Sequence, residues 1–204
     1  MAFVPRLSTT SPTDMSNNPW WYSTAINPYL GWYNRFNNSG YGLPNCTCYA
    51  YGRYAEIQNG WDESMLPRGD AGTWWGQATD PNSSFYIGAG NFGQEPQLGA
   101  VFCWYNPSEP DVGGHVAIVE AIHYNADNTV NYISTSNSAY NGTYFWVEEY
   151  IYRYNSDYPN DPYHINYHSN AYRTQGFLYQ RNQPTPTPTR RHKMPLWMML
   201  PHFI

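Results

Sequence analysis

The chain has 204 residues, of which 41% are hydrophobic and 12% charged, and its net charge is −5 at pH 7. This length predicts one domain with a single core plus tails, and the negative charge argues against nucleic acid as a partner. The three cysteines exclude a disulfide framework, because one must stay unpaired and Cys46 lies too close to Cys48 for a relaxed bridge.

The N-terminal segment is predicted to be a flexible arm over residues 1–19. It has no apolar run of signal-peptide length, and residues 8–19 are rich in Ser, Thr, Asn and Pro. Aromatic residues become frequent from Trp20 onward. We therefore expect the ordered domain to span residues 20–181.

A helix is predicted to begin at Cys46. Pro44 ends the preceding segment, Asn45 is a favourable N-cap, and apolar residues then recur at helical spacing up to Ile57. The positive end of a helix favours thiolate, which predicts a cysteine pKa lowered from about 8.5 toward about 7. Two interpretations follow, a reactive nucleophile or a small buried residue that starts a core helix.

The next elements are predicted to complete one layered domain. A short helix is expected over residues 71–78, with Asp70 as its cap and both helices on one side of a sheet. Residues 100–105 then have the pattern of a strand, in which Cys103 is most simply a core residue.

The hairpin that follows is predicted to deliver a polar residue beside His115. The pattern predicts a strand over residues 113–124, a type I turn at residues 125–128 and a second strand from residue 129 to about 135. This pairing places His115 opposite residues 137–139. If the numbers of paired residues add to an even total, Asn137 lies on the same face of the sheet as His115. A two-residue loop would instead bring Ser136 and Ser138 to that face. His123 lies about 26 Å further along the strand, so we expect it at the surface or an edge.

No metal or cofactor is expected from the sequence. His164 and His168 are four residues apart, but their surroundings have the composition of a loop, and Cys46 and Cys48 lack a second ligand pair at a familiar spacing.

Papain-like hydrolases have their catalytic residues in the same order along the chain: a cysteine nucleophile at a helix start, a histidine base at a strand start and an Asn on the paired strand that orients the base. Five strings, over roughly residues 20–180, resemble those of CHAP domains, the cysteine, histidine-dependent amidohydrolase/peptidase family common in phage lysins. They are residues 45–50 (NCTCYA), 96–101 (PQLGAV), 114–120 (GHVAIVE), 135–142 (TSNSAYNG) and 173–179 (RTQGFLY).

The resemblance implies a papain-like α+β fold with N-terminal helices packed on a central antiparallel sheet. It implies a peptidoglycan hydrolase, an N-acetylmuramoyl-L-alanine amidase or an endopeptidase, with Cys46 as nucleophile, His115 as base and Asn137 as the residue that orients the base. Two positions depart from the family pattern. Cys48 stands where members usually have Trp. Asn137 occupies a position where many members have Glu, or Glu followed two residues later by Asn, and an amide can orient His115 but gives the imidazolium no full counter-charge. The calcium-binding loop of some members is also missing, because residues 37–42 contain no carboxylate.

The C-terminus is predicted to be a Pro/Thr linker with a basic run over residues 182–193 and an apolar tail over residues 194–204. Eleven apolar residues are too few to span a bilayer. Residues 184–204 could instead dock on another phage virion protein, lie on a membrane surface, or form a disordered end.

The resemblance implies a phage-encoded protein that acts on the bacterial cell wall, either as a component of the virion tail or from the host cytoplasm before lysis. A non-catalytic structural or wall-binding module of the virion that retains the fold is the alternative. A papain-like enzyme that acts on proteins is a third possibility, which the family strings disfavour.

Overall fold

The computed structural model describes residues 3–8, 21, 43–58, 66–108, 113–139, 142–167 and 170–181. The described part contains helix α1 (Cys46–Gln58), a 3-10 turn (Ala71–Thr73), helix α2 (Trp74–Thr79) and the strands β1 (Phe92–Gly93), β2 (Val101–Tyr105), β3 (Gly114–Tyr124), β4 (Val130–Asn137), β5 (Trp146–Tyr152), β6 (Ile165–Tyr167) and β7 (Asn170–Leu178).

The strands form one antiparallel sheet in the order β1-β7-β2-β3-β4-β5, with β6 paired to one end of β7. Alternate side chains of a strand point to opposite faces, so the sheet separates two cores. Val116 and Ile118 of β3 pack on the face that α1 and α2 cover, whereas Ala117 and Val119 pack on the other. The α+β prediction, with both helices on one face, is therefore confirmed.

Helix α1 begins at Cys46 as predicted, with the Asn45 side chain as its cap: Asn45 Oδ1 accepts the backbone N–H of Cys48 at 2.9 Å. The prediction for the second helix is partly wrong. Residues 71–73 form a 3-10 turn, and the Asp70 side chain makes no cap hydrogen bond. The Asp70 backbone carbonyl serves instead, because it accepts the backbone N–H of Thr73 at 3.0 Å and the Thr73 hydroxyl at 2.8 Å.

The first residues of the chain contact the domain, which differs from the predicted flexible arm over residues 1–19. Phe3 is buried, and the backbone N–H of Arg6 donates to Glu120 Oε2 at 2.8 Å. Arg53 in α1 donates to Glu120 Oε1 at 2.9 Å and to the Val4 carbonyl at 2.7 Å. A buried carboxylate needs such partners, and they fix the N-terminal segment to α1 and β3.

The remainder of the predicted arm and the segment over residues 182–204 lie outside the described residues. No helix in the described part of the chain is long and apolar enough to cross a membrane.

Candidate active site

The start of α1 is fixed to the end of β4. Asn45 Oδ1 accepts the Thr47 hydroxyl at 2.6 Å, and the backbone N–H of Asn45 donates to the Ser138 hydroxyl at 3.1 Å. One turn further along the helix, the Tyr49 hydroxyl donates to Ser136 Oγ at 2.8 Å. Ser136 and Ser138 thus hold the helix that begins with Cys46 on one face of β4.

The Cys46 thiol is buried, with 8% of the residue exposed, and this burial raises its pKa from an ordinary 9.0 to about 11. Hydrogen bonds from backbone N–H groups, that of Val116 first, favour the thiolate but do not compensate for the lost hydration. The predicted lowering of the pKa is therefore wrong, because desolvation outweighs the helix terminus. The contact with Val116 also places the sulfur beside the residue that follows His115.

His115 and Asn137 are joined by a hydrogen bond of 3.0 Å between Nε2 and Oδ1, and both are buried with 2% exposed. The Asn137 amide nitrogen donates to the carbonyl and the hydroxyl of Thr135, each at 3.1 Å, which directs Oδ1 toward the imidazole. An amide oxygen only accepts, so Nε2 carries the proton and the basic nitrogen of the neutral ring is Nδ1.

The hairpin explains why these two residues meet. The backbone N–H of Asn128 donates to the Asn125 carbonyl at 3.1 Å, which is the hydrogen bond of the predicted turn, and Asn128 adopts the left-handed conformation (φ 66°). Ile118 pairs with Ser136, which places Asn137 opposite Ala117 and diagonal to His115. The predicted sharing of a face is confirmed.

Two tryptophan rings that sequence reasoning missed stack on His115 from opposite sides of β3 in the sheet. The Trp104 ring of β2 lies 5.5 Å from the imidazole centroid at 24°, and the Trp146 ring of β5 lies 5.6 Å away at 26°. Trp104 is the direct pairing partner of His115, and Trp146 is that of Asn137. The two indole rings therefore hold the plane of the imidazole, and indole faces attract cations.

The other predicted residues lie apart from this pair. His123 is exposed and stacks on Tyr132 with ring centroids 4.1 Å apart, and Cys103 is fully buried, with its thiol pKa raised by that burial. Both predictions are confirmed. Cys48 is buried in the core between α1 and the sheet. His164 contacts Asp161, with Nδ1 and Oδ2 2.6 Å apart.

His168 and residues 37–42 are not among the described residues. Within the described ranges, no group of three or more His, Cys, Asp or Glu side chains could hold a metal ion.

A family model of the CHAP domain matches residues 35–138, about half of the chain, and this range includes Cys46, His115 and Asn137. The chain belongs to the CHAP domain family. No curated protein and no solved structure matches the chain. Membership of the CHAP family indicates a hydrolase of the amidase or peptidase type that acts on peptidoglycan.

Proposed function

We propose that this CHAP domain is a cysteine-dependent peptidoglycan hydrolase in which Cys46 is the nucleophile, His115 the general base and Asn137 the residue that orients the base. The observation that carries the proposal is the buried hydrogen bond between His115 Nε2 and Asn137 Oδ1, on a strand whose next residue, Val116, contacts the Cys46 thiol. This bond fixes the ring and leaves Nδ1 as the basic atom for the thiol proton.

The raised pKa of Cys46 makes a general base necessary. At neutral pH the thiol is protonated, because its pKa is about 11, so the thiolate must form by transfer of the proton to His115 as substrate binds. The thiolate attacks the scissile carbonyl carbon, and the oxyanion is stabilised by the Cys46 backbone N–H at the helix start. His115 then donates the proton to the leaving amine, and the acyl group remains on sulfur as a thioester.

Water resolves the thioester in the second half of the reaction. His115 removes a proton from the water molecule as the water oxygen forms a bond to the acyl carbon. The carbon–sulfur bond then breaks, the carboxylic acid product leaves, and the sulfur takes the proton back from His115. The stacked Trp104 and Trp146 rings stabilise the imidazolium formed in each half.

The test is lysis of purified cell walls by the full chain and by single cysteine variants. Cys46→Ala should abolish lysis without unfolding the domain, whereas Cys48→Ala and Cys103→Ala should keep most of it. Lysis that survives Cys46→Ala would contradict the mechanism. A folded wild-type chain without lytic activity would favour the non-catalytic virion module instead.

The bond that is cut is either the N-acetylmuramoyl-L-alanine amide or a peptide bond of the stem or cross-bridge. Mass spectrometry of the digested muropeptides separates these, since an amidase leaves sugars without peptide and an endopeptidase leaves shortened peptides on the sugars.

We further propose a phage origin and delivery on the virion tail, rather than release as a free endolysin. The Pro/Thr linker and apolar tail over residues 184–204 support a tether to another virion protein. Deletion of these residues should leave the domain lytic but abolish its incorporation into particles. Purified virions that contain no trace of the chain by mass spectrometry would contradict this role.

A further inference from the structure

A cavity of about 140 Å³ opens beside His115 and Asn137, on the sheet face opposite α1. Trp104, Trp146, Glu148 and His164 also line it. An apolar cavity of about 150 Å³ holds one benzene molecule, so this volume suits a single amino-acid side chain and is too small for the sugars of a glycan strand. Its occupant would therefore come from the peptide part of the wall.

The carboxylates near the cavity indicate which kind of side chain it would bind. Glu148 is exposed at the cavity, and within the described ranges no cation pairs with its carboxylate. The other nearby carboxylate, that of Asp161, is engaged by His164 Nδ1 at 2.6 Å and by Arg173 Nη1 at 3.3 Å. Glu148 is thus the carboxylate that remains for a ligand.

The walls of the cavity are aromatic on the side of the base. Trp104 and Trp146 present their rings next to His115, and indole faces attract ammonium groups as well as imidazolium. A carboxylate beside aromatic faces is a combination that recognises a primary ammonium on an alkyl stem. Wall peptides carry such a group on their diamino acid.

We propose that this cavity is a subsite for the primary ammonium group of the wall peptide, with Glu148 as its counter-ion and Trp146 as its aromatic wall. This inference rests on the proposed hydrolase function, because it assigns the subsite to the same substrate. Filling the cavity would place the side chain of the diamino acid beside His115 and Asn137.

The subsite is tested with soluble stem-peptide muropeptides, used either unmodified or after N-acetylation of the diamino acid. For the wild-type chain, acetylation should lower kcat/KM about tenfold, mainly through KM. Glu148→Gln should lower kcat/KM for the unmodified substrate by a similar factor and make the enzyme indifferent to acetylation. Glu149→Gln, on the adjacent residue that does not line the cavity, is the matched control and should behave as wild type.

Two outcomes would overturn the subsite. In the first, acetylation would lower kcat/KM by the same factor for the wild type and for Glu148→Gln. In the second, Glu148→Gln would lower kcat equally for both substrates, which would mean that the charge of Glu148 acts on His115. If the wild type cleaves neither substrate, the proposed function fails separately. In that case, calorimetry measures how tightly Cys46→Ala binds each muropeptide. The subsite requires tighter binding of the unmodified muropeptide than of the acetylated one, and equal binding would refute it.

Discussion

Replacing Asn137 by alanine isolates the orientation of the base from proton transfer itself. The variant removes the acceptor at 3.0 Å from His115 Nε2 and leaves a buried N–H without it. Losing the partner of a buried donor costs about 1 to 3 kcal/mol, which corresponds to roughly 5- to 150-fold in a rate if the cost falls on the productive ring orientation. The indole rings of Trp104 and Trp146 still contact the imidazole, so we expect a loss of about 10- to 100-fold.

The assay is the initial rate of turbidity loss of purified walls at matched protein concentration, with thermal unfolding followed by circular dichroism. Asn137→Asp keeps an acceptor for Nε2 and should retain most activity. Asn131→Ala, on the same strand but far from the base, is the matched control and should leave the rate unchanged. Activity of Asn137→Ala equal to wild type, or a loss as deep as that of His115→Ala, would refute the reasoning.

Three further predictions follow from the same geometry. His115→Ala should reduce wall lysis at least 100-fold, whereas His123→Ala should leave it intact, and turbidity assays that showed the reverse would contradict the hairpin register. The stability that the neutral Cys46 thiol provides is complete below pH 9 and is lost as pH rises toward 11, because the folded pKa lies above the ordinary 9.0. Between pH 8 and 10.5, the free energy of urea unfolding should therefore fall by about 2 kcal/mol more for wild type than for Cys46→Ala. Parallel curves would show that the thiol is not buried. Gly114→Ala should cost about 1 to 3 kcal/mol in the same unfolding assay, because its Cβ would lie 2.5 Å from the Gly72 backbone nitrogen, and unchanged stability would mean that the 3-10 turn gives way.

The local signals in the sequence determined the two elements that carry the candidate site. Asn45 before Cys46 specifies where α1 begins, because a short side-chain oxygen can satisfy the first backbone N–H groups of a helix. The turn at residues 125–128 specifies the register that brings Asn137 to the face of His115. Both depend on contacts between residues close in sequence or paired through one turn, which is why they could be predicted.

Tertiary structure alone decided the electrostatics of the site. The helix terminus predicts a lowered pKa for Cys46, but packing against β3 removes water from the thiol and raises that pKa. The residues around Cys46 in the sequence do not indicate this burial, because β3 is distant along the chain. The stacking of Trp104 and Trp146 on His115 likewise requires β2 and β5 to flank the β3–β4 hairpin. Strand order is set by how the whole sheet buries its two faces, a property of the complete chain rather than of any one segment.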